Sequence, residues 1–414
     1  MPAEISSLYR EHYGRILASL IRALGSFELA EDAVQDAFAA AIEQWPRDGT
    51  PNNPAAWIAA TARHKAIDRA RRQSWFAQRR GEIQRLVEFE MSSDSGKDAD
   101  SFPDERLRLI FTCCHPAINR EAQIALSLRT LCGLTTEEIA RAFLTPAPTM
   151  AQRIVRAQRK IRAAGIPYEV PAGDALPERL ESVMAVIYLV FNEGYAASAG
   201  DEVVRRDLCA EAIRLARILV ALMPDEREAR GLLALMLLHD SRRDTRSDPS
   251  GDLILLEDQD RARWDHRQIG EGLRLVIEAM HADAPGPYAI QAAIAAEHAR
   301  AQRYDDTDWA RIAQLYAMLL EARPSSVIAL NYAVAIAMAY GPPHGLALIA
   351  ELEASKELDD YYLMWSAKAD LLRRMGSMTE AASAYRRALA VVHSAPERRF
   401  LQRRLAEVEA AAEK

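Results

Sequence analysis

The chain contains 414 residues and carries a formal net charge of −7, with 50% of its residues hydrophobic and 7% aromatic. This length predicts roughly two to four domains, and the composition is that of a folded, helix-rich protein, which excludes a disordered or collagen-like chain. No apolar run approaches the roughly 20 residues that a membrane-spanning helix needs, and the start of the chain shows no signal-peptide pattern. We therefore expect a cytoplasmic protein that does not bind a membrane.

Positive charge is concentrated in the first part of the chain. Residues 1–170 contain 23 Lys and Arg against 21 Asp and Glu, whereas residues 171–414 contain 29 against 38. The excess of acid therefore belongs to the second part, and the basic residues of the first part are themselves clustered in short stretches. Clustered positive charge within an acidic protein is typical of nucleic-acid binding.

Apolar residues recur at helical spacing along almost the whole chain, and no convincing alternating strand pattern appears. We therefore predict an all-α protein. Stretches rich in Pro, Gly, Asn or small polar residues predict a loop over residues 45–54 and linkers over residues 78–104 and 166–177, the first of these linkers being acidic. The predicted domains are residues 1–77, 105–165 and 178–414.

The cysteines do not predict a metal site or a disulfide framework. Cys113, Cys114, Cys132 and Cys209 show no C-x-x-C spacing. Two of them stand beside His115 in the motif TCCHP, but adjacent thiols do not match the usual ligand spacings of zinc. We expect small buried residues near the end of a helix there, and we predict no metal and no cofactor.

Residues 134–162, LTTEEIARAFLTPAPTMAQRIVRAQRKIR, predict two short helices separated by the turn TPAP. Thr135 or Thr136 is expected to cap the first helix, with Glu138 in its first turn. The second helix is expected to start near Thr149 and to pack inward through an apolar stripe. That stripe consists of Met150, Ile154, Ala157 and Ile161.

The second of these helices is strongly basic. It contains no Asp or Glu that could pair with an Arg at i,i+4, although such pairing is expected on a structural face. The recognition helix of a helix-turn-helix motif has this design, because its early side chains reach base edges and its basic residues hold phosphates. The alternative is an amphipathic surface helix whose charges are only solvated.

An acidic helix and a second basic helix precede this motif. The acidic helix, AEDAVQDAFAAAIEQW, covers residues 30–45, and the basic helix, NPAAWIAATARHKAIDRARRQ, covers residues 53–73. Asn53-Pro54 is expected to start the basic helix, because a proline at an early helical position loses no hydrogen bond. The order is therefore acidic helix, loop, basic helix, linker and helix-turn-helix.

Two segments late in the chain resemble each other. They are ALNYAVAIAMAYGPPHGLALIAEL, residues 329–352, and SAKADLLRRMGSMTEAASAYRRAL, residues 366–389. In each, a small-residue helix ends at a glycine, and Gly341 and Gly376 are 35 residues apart, close to the roughly 34-residue tetratricopeptide period. We predict a tetratricopeptide-like stack of helix pairs; the alternative is a helical array without repeats. Such a stack presents a concave surface that suits a protein partner.

Together these segments resemble an extracytoplasmic-function (ECF) sigma factor of bacterial RNA polymerase, a member of the sigma-70 family. Residues 5–75 resemble its region 2 domain and residues 105–165 its region 4 domain, so the resemblance covers about the first 165 residues. It is specific, because two separate domains agree in order and spacing. The extension, which opens near YLVFNEGYAAS at residues 188–198, resembles that of the subgroup with a fused tetratricopeptide-like C-terminal domain.

The resemblance implies roles for individual residues. Core polymerase would be bound by Glu31, Asp32, Gln35 and Asp36. The −10 promoter element would be contacted by Asn52, Asn53, Trp57, Arg63, Lys65, Arg69, Arg71 and Arg72. The −35 element would be read as duplex by Thr149, Gln152, Arg153, Arg156 and Lys160. The acidic linker would lie in the polymerase channel through which RNA later passes.

The chain departs from the family pattern in places. The turn TPAPT contains two prolines where the family usually places a glycine, which leaves the start of the recognition helix open. His64 stands where an Asn is common, so its contact with DNA is in doubt. For Trp57 two interpretations stay open: a platform for a base, or a core residue, which is the commoner role of an indole on the apolar side of a helix.

We therefore predict a non-enzymatic sigma factor whose partners are core RNA polymerase and promoter DNA, with an extension that regulates it in cis and offers its surface to a protein partner. One alternative is a stand-alone helix-turn-helix activator whose repeat domain senses a ligand or partner, but such a protein has no use for the first 75 residues. Another is an enzyme or adaptor built on the extension. Polar groups there include His239, Asp240, residues 265–272 and residues 191–195, but no catalytic motif accompanies them.

Overall fold

The computed structural model describes residues 3–74, 103–131, 133–143, 145–171, 175–195, 206–248, 252–281, 284–392 and 395–412. Across these ranges the regular elements are α-helices and short 3-10 turns, with no β-strand, so the prediction of an all-α fold is confirmed. None of the helices described is long and apolar enough to cross a membrane. The chain divides into two compact units, Met1–Leu189 and Val190–Lys414.

The first unit contains two groups of helices, with most of the predicted linker between them outside the described residues. The first group is α1 (Ala3–Leu24), α2 (Phe27–Asp48) and α3 (Pro54–Ser74). The second group is α4 (Pro103–Cys113), α5 (Arg120–Thr130), α6 (Thr136–Ala142) and α7 (Ala147–Ala163). In the first group each helix packs against the other two, and in the second group α5 and α6 both pack on α7. Helix α8 (Ala175–Tyr195) begins in the first unit and ends in the second.

The loop predicted over residues 45–54 begins too early. Helix α2 continues through Pro46 to Asp48 and ends at Gly49, whose φ of 85° lies in the left-handed region that glycine tolerates. The helix is held at this end because Trp45 is buried and its ring meets that of Trp57 in α3, with 5.5 Å between the ring centroids. The two tryptophans therefore fix how α2 and α3 meet.

The segment predicted to form a helix-turn-helix contains two helices, and its cap and apolar stripe are those expected. Thr135 and Glu138 form a reciprocal cap, in which each side chain accepts the backbone N–H of the other residue at 3.1 and 2.7 Å. Helix α7 begins at Ala147, two residues earlier than predicted, because Pro148 fits the first turn of a helix without losing a hydrogen bond. The apolar stripe is confirmed: the buried residues of α7 are Met150, Ile154, Ala157 and Ile161.

The second unit is a succession of helices, most of them joined by short turns. They are α9 (Arg206–Leu222), α10 (Arg227–Asp240), α11 (His266–Met280), α12 (Pro287–Arg300), α13 (Trp309–Ala322), α14 (Ser326–Tyr340), α15 (Pro342–Ser355), α16 (Tyr362–Arg374), α17 (Met378–Val391) and α18 (Ala395–Ala412). A longer connection over residues 241–265 contains the 3-10 turns Arg243–Thr245 and Arg261–Arg263. The two similar segments of the sequence fold as the neighbouring pairs α14–α15 and α16–α17. Gly341 and Gly376 lie after the first helix of each pair with φ of 105° and 83°. The tetratricopeptide character of the stack stays a prediction.

Close helix packing in the second unit depends on Gly231. A Cβ atom at this position of α10 would lie 2.6 Å from the backbone nitrogen of Ala289 in α12, whereas a Cβ at Gly270 in α11 would meet nothing within 4 Å. We expect Gly231→Ala to force the two helices apart and to lower the free energy of unfolding by about 1–3 kcal/mol. Gly270→Ala should raise it by about 0.5–1 kcal/mol, because alanine favours the helix. Chemical denaturation of the two variants measures both effects, and equal changes would contradict the packing argument.

Candidate nucleic-acid interface

The residues predicted to bind polymerase and those predicted to bind the −10 element meet on one face of α2 and α3. Arg69 donates to a carboxylate oxygen of Asp32 and, at 2.7 Å, to one of Asp36. Gln35 is exposed beside them. All three charged side chains are partly exposed, so these ion pairs contribute about 1 kcal/mol or less each and can be exchanged for other partners.

The remaining −10 candidates lie in the loop before α3 and along that helix. Asn52, His64 and Lys65 are exposed, and Arg63 is half-buried. The side chain of Asn53 accepts the N–H of Ala56 at 3.1 Å, as a helix cap does. Trp57 is half-buried and packs edge-on against Trp45, which favours a core role for its ring. The side chains of Arg71 and Arg72 lie outside the described residues.

The basic face of α7 is open to solvent. Thr149, Gln152, Arg156 and Lys160 are exposed, whereas Arg153 is half-buried and its Nη1 lies 3.0 Å from a carboxylate oxygen of Glu121 in α5. The ion pair of Arg153 with Glu121 was not predicted, because acids at i,i+4 lie on the same helix and Glu121 lies on another one. Four of the five residues predicted to read the −35 element therefore present free surface on one helix.

Among the residues predicted to bind core polymerase, Glu31 has a largely buried side chain. Only 13% of its side chain is exposed, because α5 and α7 lie against it. Arg129 Nε is 3.7 Å from Glu31 Oε1, and Gln158 donates to the same oxygen at 3.4 Å. Burial raises the pKa of Glu31 above its usual value, although Arg129 and Gln158 oppose this shift. The two helical groups of the first unit thus share a polar contact that has little access to water.

The same two groups also approach each other through backbone. The carbonyl oxygen of Leu131, at the end of α5, would lie 2.5 Å from a Cβ added at Gly14 in α1. Tyr168, within the predicted linker 166–177, donates to the carbonyl oxygens of Ala18 and Glu105, both at 3.0 Å. A cleft of about 600 Å³ remains beside this contact, between α2 and α7. The groups are therefore in direct contact through backbone and side chains.

The paired cysteines behave as buried packing residues. Cys113 and Cys114 lie at the end of α4, with sulfur atoms 3.2 Å from the Thr130 hydroxyl and 3.6 Å from the Ser127 hydroxyl. Burial raises the pKa of the Cys114 thiol to about 12, so it stays protonated and is a poor metal ligand. In the part of the chain that the structure describes, no three His, Cys, Asp or Glu residues are placed to hold a metal ion.

Comparison with known proteins adds family information to this geometry. Residues 8–76, which include most of α1 and all of α2 and α3, match the model of Sigma-70 region 2. The uncharacterized protein R00370 of Rhizobium meliloti (strain 1021) is 43% identical over 391 residues, which cover 94% of this chain and 92% of that protein. The chain belongs to the same family as R00370, and it carries a sigma-70 region 2 domain.

Two further matches cover smaller parts of the chain. The ECF RNA polymerase sigma factor SigK of Mycobacterium ulcerans (strain Agy99) is 25% identical over 152 residues, which cover 36% of this chain and 78% of that protein. Residues 179–280 match a family of unknown function (DUF6596). No solved structure matches the chain. The match to sigma-70 region 2 therefore lies in the first part of the chain, and the family that residues 179–280 match has no stated function.

Proposed function

We propose that this protein is a sigma factor of the ECF type, which binds core RNA polymerase and directs initiation at specific promoters. The observation that carries the proposal is the match of residues 8–76 to sigma-70 region 2, the segment that contains both the acidic and the basic helix. The similarity of the chain to the sigma factor SigK over 152 residues supports it further. The second candidate is a stand-alone activator, but such a protein has no use for a sigma-70 region 2 domain. In neither of these two functions does the protein catalyse a reaction.

In this function α7 reads the −35 element. Its exposed side, with Gln152, Arg156 and Lys160, offers the amide and cationic groups that recognise base edges and phosphates in a major groove. Arg153 would exchange Glu121 for DNA, since an exposed ion pair contributes little.

The −10 element would be held in single-stranded form along α3. Asn52 and Asn53 are exposed in the preceding loop, where amide groups can bind an extruded base. Lys65 and Arg69 would follow the backbone of the melted strand, because unpaired DNA needs a basic channel. Trp57 would support the loop by its contact with Trp45 rather than stack on a base.

Polymerase binding would require α2 to be uncovered. Glu31 is a proposed contact for polymerase, and Arg129 and Gln158 occupy it. We therefore propose that the arrangement in which α5 and α7 cover α2 is a closed form of the sigma factor. The protein would open when polymerase binds α2 in place of α5 and α7. The extension, which holds the excess of acid, would regulate this step in cis.

The first test is transcription by purified core polymerase and this protein on fragments of genomic promoters. We expect initiation at specific sites without another sigma factor.

Arg156→Ala should lower transcription output about tenfold or more, because one specific contact contributes about 1–3 kcal/mol. Its effect should vanish on a template with a scrambled −35 element, and the exposed Arg311→Ala, which removes the same charge, should leave output unchanged. Binding to DNA without binding to core polymerase would favour the activator.

Gly14→Ala tests the closed arrangement. The added methyl group favours helix α1 itself but overlaps the carbonyl oxygen of Leu131, at a cost of about 1–3 kcal/mol to the closed form alone. We expect affinity for core polymerase to rise about fivefold or more, measured by fluorescence anisotropy of labelled protein. Unchanged affinity would mean that closure does not compete with polymerase.

A second pair of variants separates the polar contact from the shape of the interface. Arg129→Met leaves Glu31 covered without its cation, which destabilises the closed form. Arg120→Met removes an exposed arginine from the same helix and serves as the control. Only Arg129→Met should increase core binding, and equal results from the two variants would contradict a role for the Glu31 contact.

Regulation by the extension is tested by a chain that ends after Tyr195. This end point retains α8, whose Arg179 donates to the carbonyl oxygen of Phe111 in the first unit at 2.6 Å. We expect core affinity and promoter output to differ from those of the full chain by more than about threefold, the scale of a coupling free energy just under 1 kcal/mol. If both stay unchanged, the extension does not regulate the sigma unit in cis.

A further inference from the structure

Five basic side chains converge within the second unit. They are His239, Arg242, Arg246, Arg261 and His298, which we call the basic cluster. Helices α8, α10 and α12 end beside it, because Tyr195, His239 and His298 occupy their last turns. Segments far apart in the sequence therefore bring like charges together.

The ring of Tyr195 forms one wall of the basic cluster. The guanidinium carbon of Arg246 lies 3.6 Å from the centre of this ring, and that of Arg242 lies 5.8 Å from it. The His239 ring centroid is 5.0 Å away. Cations attract the face of an aromatic ring, but one tyrosine does not neutralise two arginines.

The two histidines respond to this environment by staying neutral. Burial and the neighbouring Arg242 and Arg261 lower the pKa of His298 to about 3. Burial, Arg242, Arg246 and His298 hold the pKa of His239 well below its usual value. Arg242 Nη2 lies 3.4 Å from Nδ1 of His239, as expected if this nitrogen is unprotonated and accepts. The positive charge of the basic cluster therefore rests on its arginines.

No carboxylate balances these arginines within the described residues. Asp240 and Asp265 lie nearby in sequence but pair with Arg243 instead, the first at 2.6 Å and the second at 3.8 Å. Burial lowers the pKa of Arg246 and Arg261, and Glu397 and Asp306 act least among the groups that oppose this shift. A poorly solvated cation without a counter-ion is costly, and the described residues supply no such counter-ion to the basic cluster.

Capping of helix ends explains only part of the arrangement. Arg246 donates to the carbonyl oxygen of Tyr195, and Arg261 donates to those of His298 and Ala301, where a helix end favours positive charge. Within the part of the chain that the structure describes, Arg242 then has no carbonyl or carboxylate partner. Three buried polar atoms also have no hydrogen-bond partner among the residues described: Tyr195 Oη, Arg261 Nη2 and His298 Nδ1.

We propose that the basic cluster binds the phosphate group of a small molecule. A tetrahedral oxyanion accepts several hydrogen bonds at once, and the basic cluster together with Tyr195 offers guanidinium, phenol and imidazole groups as donors. Tyr195, His239, Arg242, Arg246 and Arg261 all fall within residues 179–280, the match to a family of unknown function. The binding role is independent of transcription and is tested without polymerase or DNA.

The test is isothermal titration of the full-length chain with inorganic phosphate and with pyrophosphate at pH 8. Potassium chloride at matched ionic strength is the reference, because a general salt effect would appear with chloride as well. We expect saturable binding of phosphate or pyrophosphate and a melting temperature that rises with their concentration. Absence of binding to both anions would overturn the proposal.

Variants locate the site. Arg242→Gln should weaken binding about tenfold or more, because a charge-assisted hydrogen bond is lost, whereas Arg267→Gln removes an exposed arginine of the same unit and should change nothing. Tyr195→Phe keeps the ring under Arg246 and removes only the unpartnered hydroxyl, so the protein should fold with undiminished stability and bind phosphate more weakly. Loss of binding in Arg267→Gln as well would overturn the assignment.

The chain itself is the competing source of an anion. Asp201 and Glu202 lie in residues 196–205, whose arrangement is outside the described residues. If the unaltered chain does not bind phosphate but Asp201→Asn with Glu202→Gln does, the acids of the chain occupy the basic cluster and the proposal of an external ligand fails. If the unaltered chain binds phosphate and this double variant binds it equally well, the external ligand is supported.

Discussion

Close approach of helix backbones is the constraint on which both units depend. A helix such as α7 buries one apolar stripe, whereas α10 and α12 are buried on nearly all sides, and in both cases the helix axis must come near a neighbour before these residues leave water. Glycine makes this approach feasible where backbone meets backbone: a Cβ would lie 2.6 Å from Ala289 nitrogen at Gly231, and 2.6 Å from Ala333 oxygen at Gly345. Once the axes are fixed, the polar residues at helix ends have fixed positions as well. The covered Glu31 and the basic cluster both result from this packing.

The sequence predicted those features that depend on near neighbours. The stripe of α7 and the cap at Thr135 follow from helical periodicity and capping chemistry, which extend over three or four residues. The end of α2 was predicted too early. Pro46 in the sequence indicates a turn, but the contact of Trp45 with Trp57 keeps the helix intact beyond it. Such a contact belongs to tertiary structure, which overrides local preference.

The polar contacts between distant segments could not be predicted in this way. Glu31 and Gln158 are 127 residues apart, and the sequence of neither helix indicates that the two residues will be in contact. The polar motif around Tyr195 and the pair His239-Asp240 were visible in the sequence as isolated candidates, and only packing joins them to Arg261 and His298. Even a correct family resemblance gives the surfaces of the open, working state. It does not give the partners that cover those surfaces when the protein is alone.

Arg69 links the two binding events proposed for α2 and α3. While it pairs with Asp32 and Asp36, the acids neutralise the cation, and the cation neutralises the acids. In the proposed function, a polymerase surface that takes the carboxylates would release the guanidinium for DNA, and DNA that takes the guanidinium would release the carboxylates. Each partner would then raise the affinity of the other by the same factor, as linkage requires. The ion pair would thus disfavour binding of either partner alone, and promoter DNA would be held best by the assembled holoenzyme.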